Sequence, residues 1–155
     1  MKPVIQDKVP GGPSPEATHM YREAAETAEV VRAQYERNHL VVEELGSKLR
    51  TLAPRVVITC ARGSSDHAAT FAKYLIETRT GVLTASAAPS VSSIYGIQQD
   101  LRQCLFLAIS QSGRSPDLVA SAVAAKSAGA TIVALVNADN TPLADVADVL
   151  VPLRN

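Results

Sequence analysis

The 155-residue sequence predicts an α/β domain in which helices cover both faces of a parallel sheet, preceded by N-terminal helices. Three observations predict this fold class. Short runs that are apolar at nearly every position and rich in β-branched residues recur along the chain, as buried parallel strands do. Stretches of helical length separate these runs, and Gly81 and Gly129 stand where two such helices should end. Repeated strand–helix–strand units form a parallel sheet with right-handed crossovers.

The predicted elements divide the chain into three parts. Residues 1–15, rich in proline and glycine, are predicted to be a flexible lead-in, and residues 16–53 to form the N-terminal helices. Apolar side chains three to four positions apart predict two helices there, with a break between residues 29 and 39. Residues 54–155 form the α/β domain. Its five strands are predicted at 56–60, 82–84, 104–109, 131–136 and 149–153, and its helices at 66–78, 116–128 and 143–147.

One connector sets the predicted strand order. Residues 86–100 contain Pro89, Gly96 and four serines, which predicts a loop with a short helix near 90–95. A connector of this length can carry the chain across the sheet, and the flavodoxin-like order 2-1-3-4-5 follows. In such a sheet the winding reverses between strands one and three. Ligands bind beyond the carboxyl ends of the strands at that switch point.

Composition excludes several classes of partner. Lys plus Arg and Asp plus Glu both number 15, so the balanced charge predicts neither a nucleic-acid surface nor a polybasic membrane patch. No apolar run approaches the roughly 18 residues that span a bilayer, and the N-terminus lacks an apolar signal core. Cys60 and Cys104 are predicted to be buried free thiols of a cytoplasmic protein. We expect no disulfide, metal site or cofactor.

Two polar loops follow strands one and three and therefore meet at the switch point. They contain Gly63-Ser64-Ser65 and Ser110-Gln111-Ser112-Gly113-Arg114-Ser115, and each leads into a helix. Helix N-termini attract anions, glycines let the backbone approach a ligand closely, and serine hydroxyls donate to phosphate oxygens. Serine and glycine also serve as ordinary caps at such turns. Two such loops at one switch point favour a phosphate site.

Other side chains near these loops have less specific predictions. The Gln111 amide is long enough to reach sugar hydroxyls, and Arg62 and Arg114 would add charge at the rim of the site. His67 lies in the first turn of the helix after loop one, where it either faces the site or lies on the helix surface. No dinucleotide or nucleoside triphosphate glycine motif is present. Five aromatic side chains are predicted to be packing residues, namely Tyr21, Tyr35, Phe71, Tyr74 and Phe106.

At these loops the sequence resembles the sugar isomerase (SIS) domain family, from about residue 55 to residue 153. Within the family it is most similar to the isomerase half of glucosamine-6-phosphate synthase (glutamine–fructose-6-phosphate aminotransferase) and to SIS-type glucosamine-6-phosphate deaminases. The resemblance implies an amino sugar 6-phosphate as ligand, held by Ser65, Ser110, Gln111, Ser112 and Ser115. It also implies ring opening and proton transfer between C1 and C2. Arg62 and Arg114 depart from the synthase pattern, which has no arginine at the first position and usually an acid at the second.

The length of the chain is a larger departure from the resemblance. The similar enzymes have two SIS domains in tandem, and the second supplies a glutamate as general base. Neither loop here carries a glutamate, and Glu77 belongs to the far end of its predicted helix. We therefore expect the chain to be a fragment that lacks its second SIS domain. The fragment is expected to act together with that domain or as a homo-oligomer. Two alternatives stay open, a sugar-phosphate sensor that regulates a partner and an unrelated flavodoxin-like domain.

Overall fold

The computed structural model describes residues 14–93, 95–138 and 140–153. The predicted lead-in lies almost entirely outside these residues. A 3-10 turn at Pro15–Ala17 precedes the first helix. The α-helices are α1 (His19–Leu52), α2 (Ser64–Thr80), α3 (Pro89–Ser93), α4 (Pro116–Ser127) and α5 (Pro142–Val146). The strands are β1 (Val56–Ala61), β2 (Leu83–Ser86), β3 (Cys104–Ser110), β4 (Thr131–Val136) and β5 (Val149–Pro152).

The five strands form one parallel sheet in the order β2-β1-β3-β4-β5. This confirms the predicted fold class and strand order. Helices α4 and α5 pack on one face, where Phe106, Leu118 and Leu143 belong to one buried cluster. Helices α1 and α2 pack on the other face, where the cluster contains Val57 and Val133. The apolar runs of the central strands follow from this double coverage, because both faces of each strand are buried.

The prediction of two N-terminal helices is wrong. Residues 19–52 form one continuous helix, which Thr18 caps by accepting a hydrogen bond from the backbone N–H of Tyr21. Neither proline nor glycine occurs between residues 29 and 39, so nothing in the backbone ends the helix there. Within that interval the Asn38 side chain donates to the carbonyl of Pro152 at 2.7 Å, and Gln34 donates to the carbonyl of Leu153. These contacts fix the middle of α1 against the end of β5.

Of the five aromatic side chains predicted to be packing residues, only Phe106 is buried, at 3% exposed. Tyr35 and Phe71 are 77% and 68% exposed, and Tyr21 and Tyr74 are exposed as well. At about 1.5 Å per residue, the 34 residues of α1 span roughly 50 Å, and residues 19–29 at its start are all exposed. Phe71 and Tyr74 lie on the outer side of α2. Large apolar side chains are therefore concentrated on the α1/α2 layer.

Both cysteines are buried and free, as predicted. Burial raises the pKa of each thiol, which keeps both in the neutral form at physiological pH. No helix in the described ranges is long and apolar enough to cross a membrane. Within those same ranges, no three His, Cys, Asp or Glu side chains are grouped so that they could hold a metal ion.

Candidate functional site at the carboxyl ends of β1 and β3

The two polar loops lie side by side at one edge of the sheet. Strands β1 and β3 are hydrogen-bonded neighbours, with Ala61 of β1 opposite Ile109 of β3 at their carboxyl ends. Helix α2 begins after β1 and α4 after β3, and the two helices cover opposite faces of the sheet. Their N-termini therefore flank one crevice, at the switch point that the strand order defines.

Loop one is shorter than predicted because α2 begins at Ser64 instead of residue 66. Gly63 is the residue before the helix, with φ of 58° and ψ of −133°, a conformation that glycine adopts readily. Ser64 is exposed and Ser65 is half-buried in the first helical turn. The backbone N–H groups of a first turn have no acceptor within the helix. The serines of loop one therefore lie at a helix N-terminus, where their hydroxyls stand beside backbone N–H groups that lack an acceptor within the helix.

Loop two is held in shape by its own serines. The buried Ser110 Oγ accepts a hydrogen bond from the N–H of Gly113 at 3.0 Å, and Ser112 Oγ accepts one from the N–H of Arg114 at 3.3 Å. Gly113 is buried with φ of 63°, and its carbonyl accepts from the N–H of Leu143 at 3.2 Å. Ser110 therefore folds the loop, whereas the exposed Gln111 and Ser112 face solvent.

Ser115 occupies the N-cap position of α4 and Pro116 the first helical position, as predicted. The Ser115 hydroxyl makes no capping hydrogen bond, and the residue is half-buried. Ser115 is therefore the N-cap residue by its position in the chain and not by a hydrogen bond of its side chain. An uncapped hydroxyl at a helix N-terminus is free to donate to an anion placed there.

The two arginines at the loops have different partners. Arg62 pairs with Asp117, with both Nε and Nη2 at 2.6 Å from one carboxylate oxygen. This hydrogen bond lowers the pKa of Asp117 and raises that of Arg62. Arg114 is exposed and donates to the carbonyl of Asn140 at 3.3 Å. His67 is exposed on the first turn of α2.

A small cavity of about 190 Å³ opens beside loop one, at the carboxyl ends of β1 and β2. Cys60 is one of its lining residues, and burial raises the pKa of the Cys60 thiol, which makes the thiol a poor nucleophile. A larger groove of about 540 Å³ lies under the connector that follows β2, against α4, and shares Ser86 and Ala87 with the small cavity. The small cavity is lined by Cys60, Ala61, Arg62, Gly63, Asp66, Ser86 and Ala87.

Sequence reasoning did not assign Ser86, Ala87 or Asp117 to the site. Ser86 ends β2, and the carboxyl ends of parallel strands share one edge of the sheet. That rule would have drawn attention to Ser86. Glu77 is excluded from the loops by geometry, because its carboxylate accepts a hydrogen bond from the N–H of Thr84 in β2 at 2.9 Å.

The sequence also matches a known family model. The model of the SIS domain matches residues 53–154, the whole parallel sheet and its loops. The chain belongs to the SIS family. The resemblance deduced from the two loops is thereby confirmed, and this SIS domain is related to phosphosugar isomerases.

Three relatives show how this SIS domain compares with longer proteins. A candidate phosphosugar isomerase from Silicibacter pomeroyi DSS-3 is 40% identical, with a TM-score of 0.82, over 84% of this chain and 40% of that protein. The glutamine–fructose-6-phosphate aminotransferase of Campylobacter jejuni is 27% identical over 83% of this chain and 21% of the relative. The Vibrio vulnificus NanR protein, solved in complex with ManNAc-6P, shares the fold, with 14% identity and a TM-score of 0.71 over 90% of this chain and 52% of NanR. The chain thus spans well under two thirds of each.

Proposed function

We propose that this SIS domain binds an amino sugar 6-phosphate and forms the binding half of an aldose–ketose isomerase or glucosamine-6-phosphate deaminase. The observation that carries the proposal is the convergence of two helix N-termini, each bordered by serines, at one crevice of the sheet. Two such termini supply backbone N–H donors and positive dipole ends to a single anion. The NanR protein solved with ManNAc-6P and the Campylobacter glutamine–fructose-6-phosphate aminotransferase support a sugar 6-phosphate as the ligand class.

In this proposal each loop residue has a defined role. Gly63 keeps the backbone close to the phosphate, and the N–H groups and hydroxyls of Ser64 and Ser65 approach it from α2. Gly113 lets loop two pack against Thr141 and Val136. From loop two, Ser112 and Ser115 donate hydroxyl hydrogen bonds, Ser110 keeps the loop folded, and Gln111 reaches the sugar hydroxyls. Each hydrogen bond to a charged group contributes on the order of 1.5–3 kcal/mol. Several of them support micromolar affinity after the entropy of association is deducted.

Positioning alone does not move a proton. Transfer between C1 and C2 needs a base within about 3 Å of the carbon acid. Neither loop carries a glutamate, and Glu77 is bound to β2. We therefore propose that the base comes from a second SIS domain or from a second copy of the chain. A cytoplasmic location fits the two free thiols.

The first test is calorimetric titration of the chain with glucosamine 6-phosphate, followed by ammonia-release and isomerisation assays on the same sample. We expect micromolar binding without turnover. Turnover would show that the chain, alone or as an oligomer, contains the base. No heat at millimolar ligand would contradict the proposed function and leave only the fold.

A sugar-phosphate sensor without catalytic activity is the second candidate. The lack of a glutamate on either loop favours it, because a sensor needs the phosphate site and no base. Turnover after addition of a second SIS domain as a separate chain would show that this chain is the binding half of an enzyme. Binding that never yields turnover with any such domain would decide for the sensor.

The α1/α2 layer is the surface through which we propose that two copies associate. Of the thirteen exposed large apolar side chains among the described residues, nine lie on α1 and α2, whereas α4 on the opposite face has only Val123. Apolar surface of this extent marks an interface in soluble proteins. We expect a dimer in analytical sedimentation at micromolar concentration.

The double variant Phe71→Glu with Tyr74→Glu is expected to sediment as a monomer, because two charges would have to be buried at the interface. Val123→Glu is the matched control, since it adds a charge to an exposed apolar position on the opposite face. It should leave the dimer unchanged. A monomeric unchanged protein would contradict the proposal, and a double variant that remains dimeric would exclude this surface.

A further inference from the structure

The Arg62–Asp117 ion pair joins the two sides of the crevice. Arg62 belongs to the turn between β1 and α2, and Asp117 to the first turn of α4, 55 positions along the chain. The other ion pairs in the described ranges lie within α1, beside β3 and between α4 and the residue before β5. Among the described residues, therefore, only the Arg62–Asp117 ion pair connects the turn before α2 with the start of α4.

We propose that Arg62 and Asp117 are positioning residues that hold the N-termini of α2 and α4 at the separation a bound phosphate requires. The inference rests on the proposed function and adds to it two residues with no ligand contact of their own. The two helices lie on opposite faces of the sheet, so the strands alone do not fix the distance between their first turns. Loops held in the bound geometry before the ligand arrives lose less entropy on binding.

The geometry argues against direct phosphate binding by Arg62. Both Nε and Nη2 are directed at the same oxygen of Asp117, so two of the five guanidinium donors are already engaged. The carboxylate also cancels the charge that a phosphate would attract. A positioning role and a phosphate-binding role of Arg62 predict opposite effects of Asp117→Asn on the affinity for sugar phosphate. Removal of a positioning partner weakens binding, whereas release of a phosphate-binding arginine tightens it.

The test is titration of the full chain with glucosamine 6-phosphate for Arg62→Gln, Asp117→Asn and the double variant. We expect each single variant to raise Kd about three- to fivefold, the range of a half-exposed ion pair. The double variant should be no weaker than either single one, because both changes break the same contact. Asp117→Glu should restore most of the affinity. Arg102→Gln, which breaks the exposed Arg102–Asp100 pair beside the opposite end of β3, is the matched control and should leave Kd unchanged.

A readout without ligand separates this inference from the proposed function. The hydrogen-bonded backbone N–H groups of Asp66, Gly113 and Arg114 should exchange hydrogen faster in Arg62→Gln than in the unchanged protein, with the midpoint of thermal unfolding preserved. Unchanged exchange, tighter binding by Asp117→Asn, or additive single effects would each overturn the positioning role. An unchanged protein that binds no sugar phosphate would overturn the proposed function, whatever the exchange shows.

Discussion

Gly113→Ala is expected to destabilise the domain by about 2–4 kcal/mol and to abolish sugar-phosphate binding. Gly113 has a φ of 63°, where an L-residue is strained, and it is buried in the middle of loop two. A Cβ atom there would lie 2.7 Å from Thr141 Cβ and 2.8 Å from Val136 Cγ1. Both neighbours belong to the core around β4 and α5, so loop two must move instead.

Urea denaturation and calorimetric titration of the Gly113 variant measure the two effects. Gly81→Ala is the matched control, because Gly81 has a similar φ of 72° but no atom within 4 Å of the added Cβ. The control should lose only about 1 kcal/mol of stability, the conformational cost alone, and keep its affinity. If both variants were equally destabilised, the close contact at loop two would not be the cause.

Much of the sheet follows from local patterns. The predicted strand 131–136 coincides with β4, and the strand order followed from the length of one connector and the rule for crossovers. Buried parallel strands are predictable in this way because their apolar runs are short, continuous and bounded by polar turns. The two site loops followed from the same strands, since topology alone brings their carboxyl ends together.

The features that sequence patterns missed depend on distant contacts or on partners. The 34-residue length of α1 depends on what lies beside it, and Asn38 finds its acceptor at Pro152 of β5. The ion pair of Arg62 with Asp117 joins residues from different elements and has no local signature. The exposed Tyr35 and Phe71 were predicted to pack because apolar spacing identifies a face but not the molecule that covers it.

Ser112→Ala is expected to weaken binding of glucosamine 6-phosphate about tenfold to a hundredfold, the loss of one hydrogen bond to a charged group. Ser112 is exposed on loop two and accepts only a 3.3 Å hydrogen bond from Arg114, which water can replace. Stability should therefore stay nearly constant, which separates this variant from Gly113→Ala.

Ser127→Ala is the matched control for the serine variant, because Ser127 is an exposed serine at the far end of the helix that loop two leads into. It should bind like the unchanged protein. The comparison decides between the two interpretations of the loop. If Ser112→Ala bound as tightly as Ser127→Ala, the Ser112 hydroxyl would serve only the turn and would make no contact with the phosphate. A loss of affinity in Ser112→Ala alone would place the phosphate on loop two, because a substitution that leaves the fold intact lowers affinity by removing a contact with the ligand.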